Sequence, residues 1–167
     1  MSHIEHQDSG SGLIARCAVI TCSDTRTPDT DHSGNRIAEL LEEARHSVVF
    51  RDLVPDEADR IRQAVQDAKK NGARLIITTG GTGISKRDTT FEAIQSLIST
   101  DIPGFGELFR MLSWEEIGAA AMMSRATAGL TDDAILFALP GSRNAVDLAM
   151  QRLILPQIGH LMAERRK

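Results

Sequence analysis

Four short apolar runs punctuate the chain, RCAVITC, SVVFRDLV, RLIITT and AILFAL, each rich in Val, Ile and Leu on both faces. A strand with one wet face alternates, so these runs predict strands covered on both sides. Around them lie segments with helical patterning: SGNRIAELLEEARH, DEADRIRQAVQDAKKNG, TTFEAIQSLIST and SRNAVDLAMQRLILPQIGHLMAERR. Strands alternating with amphipathic helices predict an α/β fold, a mainly parallel sheet with helices on both faces.

Local signals sharpen the boundaries. Ser33 is placed to cap the first helix, and Asp56 and Glu57 put carboxylates where a helix start is partly positive. Asn71-Gly72 stops that second helix before the third strand. The stretch IPGFGELFRMLSWEEIGAAAMMSRATAGLTDD is less regular. It predicts a helical hairpin, Phe105 to Leu112 and Trp114 to Ala120, then a short strand around Ser124 to Ala128. Phe105, Leu108, Phe109 and Leu112 are expected to pack inward. Glu107, Arg110, Trp114, Glu115 and Glu116 then form either a solvated face or a subunit contact.

Composition narrows the functional classes. The chain has 167 residues, a net charge of −4 and both charge signs interspersed, with no basic stripe for nucleic acid. No apolar run approaches the roughly 20 residues of a membrane span, and no secretory signal is evident, so a cytoplasmic protein is expected. Residues 1–14, which include MSHIEHQDSGSG, read as a disordered leader, and residues 15–167 as a single domain. Cys17 and Cys22 stand five apart in one strand, so their side chains point to opposite faces and no disulfide joins them. Neither belongs to a zinc pattern, and His3 and His6 lie in the leader.

The chemistry gathers at strand ends. In LIITTGGTGISKRDTT a strand is followed by Gly80, Gly81 and Gly83, a turn whose amides can face an anion directly, with the Thr82 hydroxyl beside them. It lacks the Gly-Lys-Ser/Thr of a Walker loop and the third glycine of a dinucleotide fingerprint. The turn is either a phosphate cradle or a tight connection without a ligand. Asp88 just beyond it would repel an anion unless a cation stood between, and Mg²⁺ takes carboxylate and phosphate oxygens together. Asp56 offers a second carboxylate at the end of the second strand. Read singly, Asp56 and Asp88 are equally ordinary helix-start residues. Pro140-Gly141-Ser142 makes a further strand-to-helix turn, and Ser23 and Asp24 open a long polar loop after the first strand.

TTGGTGISKRDTT, IPGFGELFRMLSWEEIG, SRATAG and LPGSRNAV, in this order and spacing, resemble the MoaB/Mog family of molybdenum-cofactor biosynthesis. The resemblance runs from about Arg16 to the last helix, and GFGELFRMLSWEEIG is similar to the MoaB branch. It implies a three-layer α/β/α sandwich, usually a homotrimer with a hexamer as the other assembly, that binds molybdopterin and ATP. Active members transfer AMP from Mg-ATP to the terminal phosphate of molybdopterin, and a separate molybdenum-insertion protein receives the product. The insertion proteins' further domains have no counterpart in this sequence. The resemblance places the catalytic and Mg²⁺-binding aspartates at Asp56 and Asp88. Thr79, Gly80, Gly81, Thr82 and Gly83, then Pro140, Gly141 and Ser142, become nucleotide- and substrate-binding positions, and Ser23 and Asp24 line the site. Ser124 and Arg125 are candidate substrate contacts, although Arg125 equally suits a pairing with a surface carboxylate. Some MoaB-branch proteins lack the first aspartate and are inactive; this chain has it. The alternative is a non-catalytic molybdopterin-binding or carrier protein of the same fold.

Overall fold

The computed structural model describes residues 12–166. Along the chain come β1 (Arg16–Cys22), α1 (His32–Glu43), β2 (Ser47–Val54), α2 (Ala58–Lys70), β3 (Leu75–Thr79) and α3 (Thr90–Gln95). They are followed by β4 (Thr100–Asp101), α4 (Pro103–Ile117), β5 (Thr127–Leu130), β6 (Ile135–Leu139), α5 (Arg143–Ala149) and α6 (Ile158–Glu164). The strands form one sheet in the order β2-β1-β3-β6-β5-β4. β2, β1, β3 and β6 are mutually parallel, whereas β5 runs antiparallel to β6 and β4 antiparallel to β5. The reversal follows from loop length. Parallel neighbours need a crossover, but only Thr131 to Ala134 separate β5 from β6, and Thr131 closes that turn on the Ala134 amide and carbonyl.

Side chains of β1, β3 and β6 alternate into two apolar cores, while β2 at the sheet edge is largely part-buried or exposed. Cys17 and Val19 of β1, Leu75 and Ile77 of β3, and Phe137 of β6 pack with Ile37 and Leu41 of α1, Phe109 of α4 and Met150. Ala18, Ile20 and Cys22, with Ile76 and Leu136, pack on the opposite face against Ile61 and Val65 of α2 and Ile94 of α3. The sheet is thus the middle layer of an α/β/α sandwich. Both cysteines are free and occupy different cores, as their odd separation requires. Burial pushes each thiol up to about 12, so neither is a nucleophile near neutral pH.

Several local expectations need correction. Asp31, not Ser33, caps α1: its carboxylate accepts from the Gly34 amide at 2.9 Å. The predicted hairpin is one continuous helix, α4, followed by a 3₁₀ stretch from Gly118 to Met123. Because that helix does not fold back, Leu108 stays 48% exposed while Phe105, Phe109 and Leu112 are buried. Arg110 is not on a solvated face, since its guanidinium donates to the Ser124 and Ala126 carbonyls. The short strand begins at Thr127 rather than at Ser124. The last predicted helix is broken into α5, a π turn (Met150–Ile154), a 3₁₀ turn (Leu155–Gln157) and α6. Pro156 lacks an amide hydrogen and crowds the preceding turn, which accounts for the break. Of the predicted leader, residues 1–11 lie outside the described residues, and Leu13 packs on the first core.

One part-buried contact has a pH signature. His46 accepts from the Ala15 amide through Nδ1 at 3.3 Å, and burial lowers its pKa from the ordinary 6.5. The fold prefers the neutral ring, so below 6.5 unfolding takes up a proton. Stability present above that pH is expected to decline as the pH falls through the lower folded value. Urea midpoints across this range check it: His46→Gln, which keeps an acceptor but does not titrate, should flatten the slope. An unchanged slope in that variant would assign the acid sensitivity to other groups.

Candidate active site at the carboxyl edge of the sheet

β1, β2, β3 and β6 all end on the same side, so the loops that follow them converge there. They enclose a crevice of about 670 Å³. Ser23, Asp24, Asp56, Thr79, Gly80, Gly81, Thr82, Gly83, Asp88, Ser124, Pro140, Gly141 and Ser142 all line it, so residues spread from position 23 to position 142 meet in one site. Arg125 is not among its lining residues.

The glycine turn is shaped by what crowds it. Gly80 has φ +97°, and a β-carbon there would stand 2.2 Å from the Cys22 carbonyl oxygen. Gly81 has φ +63°, and its β-carbon would meet Thr90 Oγ1 at 2.2 Å and Asp56 Oδ2 at 2.6 Å. Glycine is therefore the residue that lets the loop pass between β1 and the two carboxylates. Thr79 Oγ1 donates to the Pro140 carbonyl at 3.0 Å, and Ser33 Oγ to the Gly141 carbonyl at 2.6 Å, which ties the loops together. Among the described residues the amides of Gly81, Thr82, Gly83 and Ile84 meet no protein acceptor. A run of such amides is an anion-binding concavity.

The two carboxylates do not cap their neighbouring helices. Asp56 Oδ1 accepts from the Thr89 amide at 3.0 Å and from Thr89 Oγ1 at 2.9 Å. Asp88 Oδ2 accepts from the Ser85 amide at 2.8 Å. Among the described residues each keeps its other oxygen, Asp56 Oδ2 and Asp88 Oδ1, without a protein donor. Among the described residues no cluster of three or more acidic, His or Cys side chains forms a complete cation cage. Two half-free carboxylates beside donor-rich amides do suit Mg²⁺, which is commonly held by one or two carboxylates together with substrate phosphate oxygens.

Other site residues have structural work. Asp24 accepts from the Asp56 amide at 3.1 Å through Oδ1 and pairs with Arg87 at 2.6 Å through Oδ2. Arg87, from the glycine loop, thus brings a cation to this segment, while Arg26 turns to the Thr30 carbonyl. Ser23 Oγ accepts from the Thr25 and Arg26 amides, shaping its own loop. Ser142 Oγ accepts from the Ala145 amide as the cap of α5. Arg125 lies behind the glycine loop, where it donates to the Gly83 carbonyl at 2.9 Å and the Asp88 carbonyl at 3.2 Å and pairs with Glu92. Sequence reasoning missed Thr89 and Asp31. Asp31, buried, accepts from Thr21 Oγ1 at 2.7 Å and lines the crevice. An Asp just ahead of a helix is a capping signal, which Asp31 shares with Ser33; nothing in the sequence marks Thr89.

An α/β/α domain with an acidic, amide-lined crevice at its strand ends is the class that this geometry defines. Residues 18–160 match the MoCF_biosynth family, described as "Probable molybdopterin binding domain". The chain belongs to this family, within its MoaB/Mog group. It is 47% identical to molybdenum cofactor biosynthesis protein B of Bacillus subtilis strain 168 over 100% of this chain and 99% of that one. A crystal structure of a molybdenum cofactor biosynthesis protein B superposes with a TM-score of 0.89 at 47% identity, covering 92% of this chain and 97% of the other. The tungsten cofactor synthesizing protein MoaB of Pyrococcus furiosus superposes with a TM-score of 0.85 at 36% identity, covering 92% and 98%.

Proposed function

We propose that this chain acts in molybdenum-cofactor biosynthesis as a molybdopterin adenylyltransferase. A phosphate oxygen of molybdopterin attacks the α-phosphorus of ATP, the bond to the β-phosphate oxygen breaks, and pyrophosphate leaves. The observation that carries this reading is the approach of Asp56 and Asp88 to one glycine loop, each with a free carboxylate oxygen, beside amides that lack protein acceptors. Asp56 and Asp88 are the residues that would hold Mg²⁺, which when bound supplies neutralisation of the triphosphate charge. The loop amides bind phosphate oxygens, and Thr89 fixes the Asp56 carboxylate. A phosphate monoester is already largely anionic near neutral pH, so the site needs positioning and charge compensation rather than a general base.

Purified protein incubated with molybdopterin, ATP and Mg²⁺ should yield adenylylated molybdopterin and pyrophosphate in equal amounts. Tight pterin binding with no pyrophosphate would make it a carrier instead. We place the reaction in the cytoplasm, upstream of a molybdenum-insertion protein; among the described residues no helix is long and apolar enough to cross a membrane.

The working assembly is proposed to be a homotrimer. Leu108, Met111, Trp114 and Ile117 of α4, with Met122 and Met123 beyond it, leave an apolar face exposed. Sedimentation should give three chain masses, or six for a dimer of trimers. The emission of Trp114, the single tryptophan, should shift to the red on dissociation. A monomer at assay concentrations would remove this assignment.

A further inference from the structure

We propose that Arg125 is a positioning residue of this site, whose guanidinium grips the outer side of the glycine loop and thereby aims the loop's amides at Asp56 and the crevice. This rests on the adenylyltransferase reading for its effect on rate, but not for its effect on the loop.

The grip is made at both ends of the loop. The Arg125 amide donates to the Thr82 carbonyl at 3.3 Å, Nε to the Gly83 carbonyl at 2.9 Å, and Nη2 to the Asp88 carbonyl at 3.2 Å. A trans peptide is planar, with N–H and C=O pointing opposite ways. Drawing the Thr82 and Gly83 carbonyls outward therefore directs the Gly83 and Ile84 amides the other way, and these amides have no protein acceptor among the described residues. At the far end the same geometry is visible directly. The Asp88 carbonyl faces Arg125, and the Thr89 amide of that same peptide donates to Asp56 Oδ1 at 3.0 Å. One peptide unit thus stands between a guanidinium and a carboxylate, each polarising its own end.

Arg125 is itself held. Nη1 pairs with the Glu92 carboxylate, and the guanidinium lies 4.9 Å from the centre of the Phe91 ring. Both partners belong to α3, the helix that the loop enters, so Arg125 fastens the loop to rigid structure. The hydrogen bond from Arg125 foremost holds the Glu92 carboxyl below its usual range, which keeps the pair charged. All three guanidinium nitrogens have protein acceptors, so the side chain needs no substrate to complete it. Lysine would keep the charge but not the planar fork that spans two carbonyls.

The test compares the wild type with Arg125→Lys and Arg125→Met in the full chain, reading Thr89 amide exchange by NMR and steady-state AMP transfer with MgATP. Both variants are expected to speed Thr89 exchange while the β3 amides of Ile76 and Ile77 stay protected. Both should lower kcat roughly 10- to 100-fold, the range for groups that orient a first ligand shell, with a smaller change in KM. Wild-type kcat in Arg125→Lys would show that charge suffices and overturn the proposal, as would unchanged Thr89 exchange in Arg125→Met. If Arg125→Met also loses protection at Ile76, Arg125→Lys carries the test. Should the wild type itself transfer no AMP, the adenylyltransferase reading fails, and Thr89 exchange alone still decides the role of Arg125.

Discussion

Asp56→Asn and Asp88→Asn are each expected to lower AMP transfer by at least about 100-fold while leaving the thermal midpoint nearly unchanged. Asparagine is the informative replacement because it preserves the hydrogen bonds that the structure shows. Its Oδ1 can still accept from Thr89 at position 56, or from the Ser85 amide at position 88. What it removes is the negative charge and the free carboxylate oxygen, the features assigned to cation binding. Alanine at position 56 would also release the Thr89 amide and leave the Thr89 hydroxyl only the Asp56 backbone carbonyl, so loop disorder and lost charge would be confounded. The checking measurement is pyrophosphate release under saturating molybdopterin with MgATP varied, beside calorimetric titration of MgATP. Both should weaken together in the asparagine variants. Full turnover in either variant would mean that the carboxylates do not hold the catalytic cation, whatever the chain otherwise binds.

Much of this arrangement was legible in the sequence because strand parity and strand polarity are local properties. Consecutive apolar residues marked β1, β3 and β6 as strands covered on both sides, whereas SVVFRDLV became the edge strand β2 with Val54 alone buried, and the five-residue step from Cys17 to Cys22 placed the thiols in opposite cores. Parallel strands have their carboxyl ends on one edge, so glycine- and aspartate-bearing loops after β1, β2, β3 and β6 had to meet. The details that escaped depend on tertiary contacts. Thr89 reaches Asp56 across 33 positions, and Arg125 reaches the Gly83 carbonyl across 42. Nothing in SRATAG tells on which side of a loop an arginine will lie. The continuity of α4 escaped for a different reason: Ser113 looks like a polar break after Leu112, yet it is buried within the helix. Asp31 and Ser33 are both good capping residues, and only the observed bond to Gly34 chooses between them.

Gly80→Ala is the second large expected effect, and it acts on stability as much as on function. The added methyl would stand 2.2 Å from the Cys22 carbonyl oxygen, which is backbone at the end of a central strand and has no side-chain rotamer to change. The opposite side is also held, since the Gly80 amide donates to the Leu139 carbonyl at 3.0 Å. With φ at +97°, any L side chain is strained there before the clash is counted. Strain and overpacking together should destabilise the protein by about 3 kcal/mol or more, a fall in Tm of roughly 6–12 °C for a chain of this size. Gly104→Ala provides the contrast: it lies in the first turn of α4 with nothing within 4 Å of the added carbon, and should be neutral or slightly stabilising. Thermal unfolding followed by circular dichroism checks both. If Gly80→Ala melts with the wild type, β1 and the loop are less tightly fixed than this packing requires, and the amides that follow Gly80 lose their claim to a preset geometry. If it melts early as expected, any folded fraction should still bind MgATP weakly, because relief of the clash can come only from moving the loop that carries those amides away from β1.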